Sequence, residues 1–493
     1  MNEAGDSSLK TSPIQPGGHP HHPRPSTDSP EISHRCEALF TVQPSVRRPV
    51  DENVTGEDSG TSQAIAHIKQ VMTKDAISLV RFEASDLHGI SRSKMVPAHH
   101  FHEKALHGVA VPRSCLELTL SPQDNEVDHM TAAGFSSDVL LVPDLLTFRS
   151  LPWAAQTARV ICDSCSITGL PLKTAPRHVA SQVLAQLHSL GFSLRASFSY
   201  ECCIFSVPEK ISSKTLLFPG ATLLSNDLPF FHLLVNSMYL MDVDVDSFAT
   251  ASGPGQIEFS LRPESGIRAA DSAFTFRTGM KETARKQGYL ASFLTNSSFY
   301  NCGVFSHSVW DAARKRNLFH SAGGQLSEIA SKWLAGLLHH CAALSCLSAP
   351  SATCRRWLAK AAKEPRQAAY ATYGCNDNSC SFSVKLHGDK GTRIDSMLGS
   401  AMGNPYIVLA ATVAAGMDGI RQNLSIPSGN LIQQKKFLIP CKLEDALDAL
   451  DEDCVIRGAL GDAFVQYFID MKRLEMETEE MDTERDKFLE YFI

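Results

Sequence analysis

The sequence predicts an α+β protein with a small mixed-sheet domain, then a larger α/β domain, behind an N-terminal tail. Three observations carry this. The chain has 493 residues, 43% apolar and 20% charged, enough for two folded domains. Residues 62–168 show one helical period and then short β-rich runs divided by turn residues, whereas residues 169–493 mix longer strand and helix patterns. Residues 1–61 are rich in Pro, Ser, Gly and His with little to form a core, a composition that predicts disorder.

Ile65, Ile68, Val71 and Met72 recur at helical spacing, with Ser62 placed as a cap, so folded structure is expected to begin at residue 62. Ala76 to Phe82 reads as a strand, Ser85 to Gly89 as a turn, and Ile90 to Val96 as the returning strand of a hairpin. Runs at Ser137 to Asp144 and Ala158 to Asp163 add strands to the same small sheet. The larger part opens with a helix from Pro176 to Leu190, then an apolar strand from Ser193 to Val207. Asp242, Asp244 and Asp246 alternate with Val243 and Val245, which places three acids on one solvated strand face; the loop pattern of a calcium site is absent. Asn404-Pro405-Tyr406 leads into a buried helix through Gly416, and the charged Glu475 to Phe492 segment reads as an exposed helix docking its last turn.

The formal charge of −7 and the scattered Lys and Arg residues argue against nucleic acid as a partner. Met1 to Asp6 opens without an apolar signal core, and the longest apolar run, Tyr406 to Met417, is too short to span a bilayer, so a cytoplasmic protein with no membrane segment is expected. Fourteen cysteines in that setting read as reduced thiols, and the sequons at Asn53, Asn296 and Asn423 then have no route to glycosylation. Cys162-Asp163-Ser164-Cys165 is a lone CxxC without the second ligand pair of structural zinc, and Cys202-Cys203 on an apolar strand reads as packing. His19, His21 and His22 read as part of a solvated tail.

The turn Gly253-Pro254-Gly255-Gln256-Ile257-Glu258 resembles the metal-binding turn of the glutamine synthetase family, and the order of strands, turn glycine and proline in residues 62–168 is similar to its N-terminal β-grasp domain. The resemblance runs through about 430 residues in the same order, counted from residue 62 to the end. It implies a glutamine synthetase-like fold: a β-grasp domain (62–168), a catalytic-type domain (169–493), and active sites formed between neighbours in a ring. Two stacked hexameric rings, a dodecamer, are the form of bacterial-type members.

That family joins glutamate and ammonia with ATP, using two metals held by five glutamates and a histidine. Carried over position by position, Glu201 and Glu258 keep carboxylates and Asp395 keeps one on a shorter arm, whereas Ser199, Ala251 and Phe305 stand where ligands are expected. His307 lies two places beyond Phe305. Trp357, Asp377, Phe382 and Met397 replace arginines that hold the substrate carboxylate and the migrating phosphoryl group; Arg393 is retained. Pro112 occupies the place of the ammonium-binding aspartate, and Ile432 that of a regulatory tyrosine. Hard cations need several oxygens at fixed distances, and each lost charge-assisted contact is worth roughly 1.5–3 kcal/mol. The resemblance therefore implies no catalytic residues and no cofactor, with at most a weak Mg2+ on Glu201 and Glu258.

The expected function is non-enzymatic, resembling the eye-lens branch of the family: a homo-oligomeric structural or scaffold component of lens fibre cells that binds cytoskeletal, intermediate filament proteins. Two alternatives stay open. One is an ATP-dependent γ-glutamyl ligase for another amine or acid, using Glu201, Glu258, Asp395, Arg393 and His307. The other is a sensor whose pocket, lined by Phe305, Trp357 and Phe382, takes an apolar metabolite.

Overall fold

A computed structural model describes residues 58–117, 137–205, 228–253, 255–295, 300–361, 369–426, 437–479 and 493. The His19, His21 and His22 cluster, the sequons at Asn53 and Asn296, Pro254, Ile432 and most of the C-terminal charged segment lie outside them.

The first helix, Asp58–Lys74, turns Ile65, Ile68 and Met72 onto the first sheet. It starts four residues before Ser62, so Ser62 lies inside the helix and not at its cap, and residues 58–61 do not belong to the tail. Adding residues to a nucleated helix costs far less than starting one, so anchoring by the apolar face carries the helix outward through Gly60. The sheet comprises β1 (Leu79–Ser85), β2 (Ser91–Pro97), β3 (Val109–Pro112), β4 (Asp138–Pro143), β5 (Arg149–Ser150) and β6 (Thr157–Ser166). Its order is β2-β1-β6-β4-β3, with β5 on β6; β1 and β6 run parallel and the other pairs antiparallel. β1 starts three residues later than expected because Ala76 takes φ +51°, a turn that breaks extended backbone. Val80, Phe82 and Val160 face the helix, and Phe101 and Phe148 close the core edge to face at 5.8 Å.

Among the described residues the second sheet has nine strands, and a separate pair joins β13 (Ala369–Tyr370) to β17 (Leu438–Ile439). β7 (Phe192–Phe205) is its long central strand, flanked by β9 (Gln256–Leu261), β8 (Val245–Thr250), β10 (Glu264–Ser265) and β11 (Leu290–Ser292). On its other side β12 (Cys302–Asp311) leads through β16 (Arg393–Ser400) to β15 (Phe382–Lys385) and β14 (Tyr373–Cys375). Strand alternation divides β7 cleanly. Leu194, Ala196, Phe198, Tyr200 and Cys202 face a core against the Arg268–Lys286 helix, while Arg195, Ser197, Ser199 and Glu201 face the opposite way. Phe198, Phe259, Phe276, Phe293 and Phe305 fill that core.

The Pro405–Arg421 helix is buried from Pro405 through Gly419, as its apolar run predicts. Asn404 caps it, its side chain accepting from Tyr406 N at 3.0 Å, and Pro405 sits in the first turn where no donor is missed. Its partner helix, Glu328–His339, approaches closely at three glycines. A Cβ at Gly336 would lie 2.1 Å from Ala415 O, one at Gly419 2.1 Å from Lys332 O, and one at Gly416 2.0 Å from the Trp333 ring.

Several polar clusters join the two sheets. Asn404 Nδ2 donates to Asp86 O (2.9 Å) and Leu87 O (3.1 Å) of the first hairpin. Arg177 meets Asp271 through two bonds of 3.0 Å, and Asp163 (2.8 Å) and Asp144 (2.7 Å) of the first sheet; although burial opposes it, Asp271 raises the guanidinium pKa. Arg159 pairs with Glu83 at 3.0 Å and donates to Thr275 at 2.6 Å.

Two other expectations are corrected. Asp242 is a turn residue with φ +62° paired to Arg149 and Arg268, and β8 starts at Val245, so the three aspartates do not share a strand face. Glu475 is buried and not exposed: it bonds His88 at 2.6 Å and Lys472 at 2.8 Å within the Asp462–Glu479 helix environment. Cys162 and Cys165 sit three apart on β6 and so project to opposite faces, which keeps them from chelating one ion.

Candidate functional site

The candidate site is the face of the second sheet opposite its phenylalanine core. Glu201 on β7 and Glu258 on β9 are directly paired in the antiparallel register. Such side chains stand about 5 Å apart. The Gly253–Glu258 turn needs Gly255 at φ +66°, and Gln256 fixes it: its Oε1 accepts from Gly253 N (2.9 Å) and its Nε2 donates to Asn301 Oδ1 (2.9 Å) and Tyr300 O (2.7 Å). Glu201 accepts from Cys302 N at 2.8 Å. Burial raises its carboxyl pKa, the Cys302 amide works against that shift, and Glu258 adds to it. Burial next to the same two acids also pushes the Cys302 thiol far up.

Around this pair the face is neutral. Ser199 Oγ lies 2.9 Å from Ser260 Oγ on β9, its cross-strand partner, so this position offers a hydroxyl already in use. Ala251 contributes only a backbone N–H, to Gln256 O at 2.8 Å.

Phe305 is not on this face. It is 1% exposed, pairs with Phe198 across β12 and β7, and packs against it at 4.8 Å between ring centroids. The residues of β12 that share the Ser199 and Glu201 face are Val304, opposite Ser199, and Ser306, opposite Ser197. Successive residues along a strand take opposite faces, so Phe305 lies behind its neighbours Val304 and Ser306. His307, on the core face too, stacks on Phe305 at 5.2 Å and accepts from Trp333 Nε1 at 2.9 Å; burial lowers its pKa to about 4. It is a neutral core histidine. The signal for Val304 and Ser306 was available in the sequence, in the alternation of β12 against Ser199-Tyr200-Glu201.

Asp395 lies on β16 opposite Ser306 and is engaged by Arg393 Nε at 2.8 Å. Its row meets β7 at Ser197, four residues or about 14 Å along the strand from Glu201. The remaining positions scatter. Phe382 is buried on β15, paired with Ser396; Met397 is half-buried; Trp357 is half-buried on the Ala352–Ala361 helix. In that helix Arg355 is fully buried and donates to Ser345 Oγ (3.0 Å) and Pro440 O (3.1 Å), a structural role. Asp377 is exposed and closes a turn by accepting from Ser379 N at 2.9 Å; the Ser379 hydroxyl holds its carboxyl pKa down. Pro112 ends β3 on the first sheet, exposed and opposite Asp138. The structure thus brings Glu201, Glu258 and Ser199 together, sets Asp395 and Arg393 farther along the same sheet, and leaves Phe305, Asp377 and Pro112 elsewhere.

This donor set does not fit a two-metal cage. Mg2+ takes near-octahedral oxygen ligands, and the face supplies one carboxylate pair with serine, valine and alanine around it, its further carboxylate, Asp395, lying rows away and engaged by Arg393. Among the described residues no three His, Cys, Asp or Glu side chains are grouped as ligands for an ion.

The model of the glutamine synthetase catalytic domain matches residues 173–491, and the chain belongs to the glutamine synthetase family. Its fold is similar to a solved glutamine synthase homologue, with TM-score 0.73 and 24% identity over 82% of this chain and 96% of that one. Apo GmaS is also similar, at TM-score 0.71 and 23% identity over 84% of this chain and 96% of that one. Within the family the chain is similar to lengsin: 53% identical to the dog protein over 88% of this chain and 77% of that one, and 52% to the human protein over 88% and 86%. A glutamate–isopropylamine ligase from Pseudomonas is 26% identical over 84% of this chain and 94% of its own length. Among the described residues no helix is long and apolar enough to cross a membrane.

Proposed function

We propose that this chain is a non-enzymatic glutamine synthetase-like protein, a structural or scaffold component of lens fibre cells that binds intermediate filament proteins. The observation that carries the reading is the neutral face around Glu201 and Glu258, where Ser199, Ala251, Val304 and Ser306 offer no charge to hold metal or phosphate. The identity to lengsin, 53% over 440 residues, supports the lens assignment. The first helix and sheet (58–168) serve as the β-grasp-like domain and residues 169–493 as the catalytic-like domain, and copies assemble as two stacked hexameric rings in the cytoplasm. Calorimetry with ATP and Mg2+, in the presence and absence of glutamate, tests this. No binding heat at millimolar ligand is expected; saturable binding coupled to glutamate would overturn the reading.

A second reading is favoured by one observation, the paired carboxylates of Glu201 and Glu258 on adjacent strands. On it the chain would be a γ-glutamyl ligase for a different amine, and product formation from glutamate, ATP and alkylamines would establish it.

A further inference from the structure

On the core side of the second sheet, the Arg268–Lys286 helix carries Arg277 and Lys281 one turn apart, so two cations share a face. Arg277 is 4% exposed and its guanidinium lies over the Phe293 ring at 5.5 Å and the Tyr200 ring at 6.0 Å. Its one hydrogen bond among the described residues runs from Nη1 to the neutral Gly403 O, at 3.1 Å. The first hairpin presses on the same group: a Cβ at Gly89 would lie 2.8 Å from Arg277 Nη1. Lys281 is half-buried and makes no hydrogen bond or ion pair among the described residues.

The acid that acts on both cations is Asp86, and its oxygens are taken. Oδ1 accepts from His88 N and Ile90 N, both at 2.9 Å, and Oδ2 accepts from Arg92 Nε at 2.9 Å. The Tyr200 ring lies beneath Arg277, and its buried hydroxyl has no hydrogen-bond partner among the described residues. Burial lowers the pKa of both cations, and the Arg277 charge lowers that of Lys281 further. A buried cation without a counter-charge is destabilising, and a bound anion relieves that cost.

We propose that Arg277 and Lys281, together with the Tyr200 hydroxyl, form a binding site for a small oxyanion of the phosphate class, between the Ser85–Gly89 turn and the Arg268–Lys286 helix. An oxyanion there accepts from the guanidinium and the ammonium at once, and accepts a third hydrogen bond from the phenol O–H. The site is separate from the Glu201 face, which lies across the sheet.

The test is thermal unfolding of the full chain titrated with inorganic phosphate, against chloride at matched ionic strength, for the native protein and Lys281→Met. A saturable rise in melting temperature with phosphate is expected in the native protein, and the variant should lose roughly tenfold or more in apparent phosphate affinity. In phosphate-free buffer the variant should melt no lower than the native protein, since an unpaired cation has been removed. Equal melting in phosphate and chloride would overturn the proposal. So would an undiminished phosphate response in the variant, or a lower melting point in phosphate-free buffer, which would mean that Lys281 already has a partner such as a carboxylate of a neighbouring copy.

Discussion

His340 is the residue whose environment makes the sharpest statement about stability. It joins two helices and is held between Asp418 at 3.1 Å and Asp453 at 2.7 Å. Burial opposes its charge, but the two carboxylates outweigh burial and raise its pKa to about 9. The folded value exceeds the usual histidine value near 6.5, so its stabilisation is fully present below about pH 6.5 and is lost as pH climbs through about 9. The shift corresponds to about 3 kcal/mol as an order of magnitude. Urea midpoints measured from pH 6 to pH 10 should fall more steeply for the native protein than for His340→Gln; parallel profiles would contradict the ion triad. No sequence pattern announces this group, because Asp418 and Asp453 are 78 and 113 residues away. Glu475 was misread for the same reason, its partner His88 being 387 residues distant.

Elements were more legible. The hairpin of Leu79–Ser85 and Ser91–Pro97, the Pro176–Ser189 helix and the buried Pro405–Arg421 helix follow from period and turn residues, which are local properties. Which face a strand residue takes is set by its register against neighbours, so the core-side placement of Phe305 is not legible in its own segment. The contact of the Glu328–His339 and Pro405–Arg421 helices depends on Gly336 and Gly419, where an added methyl meets backbone and no flexible side chain can yield. Gly336→Ala and Gly419→Ala should each destabilise by about 1–3 kcal/mol or more, read as a drop in urea midpoint, whereas Gly60→Ala, with nothing within 4 Å, should be neutral or better.

At the scale of the whole molecule, the two sheets are held together by Asn404, Arg177 and Arg159. On the proposed ring assembly, that rigid joint fixes the angle at which the first sheet of one copy meets the next. Native mass spectrometry is expected to give a dodecamer, and a monomer at micromolar concentration would remove the ring from the proposal. The fold was legible over this scale because the resemblance spans the chain, while the site was legible only in part, since its geometry is made by four adjacent strands far apart in sequence.

The division of β7 into two faces also makes the second sheet a ready chassis for engineering. Residues on the Glu201 side can be rewritten without touching Phe198, Tyr200 or Phe305, which anchor the fold from behind. Ser199→Glu with Val304→His should therefore leave the melting temperature within a few degrees while adding measurable Mn2+ or Zn2+ affinity in a titration; collapse of the fold would show that the two sides are not independent. On the non-enzymatic reading proposed above, the Glu201–Glu258 pair is a starting point that two substitutions can extend toward a metal site.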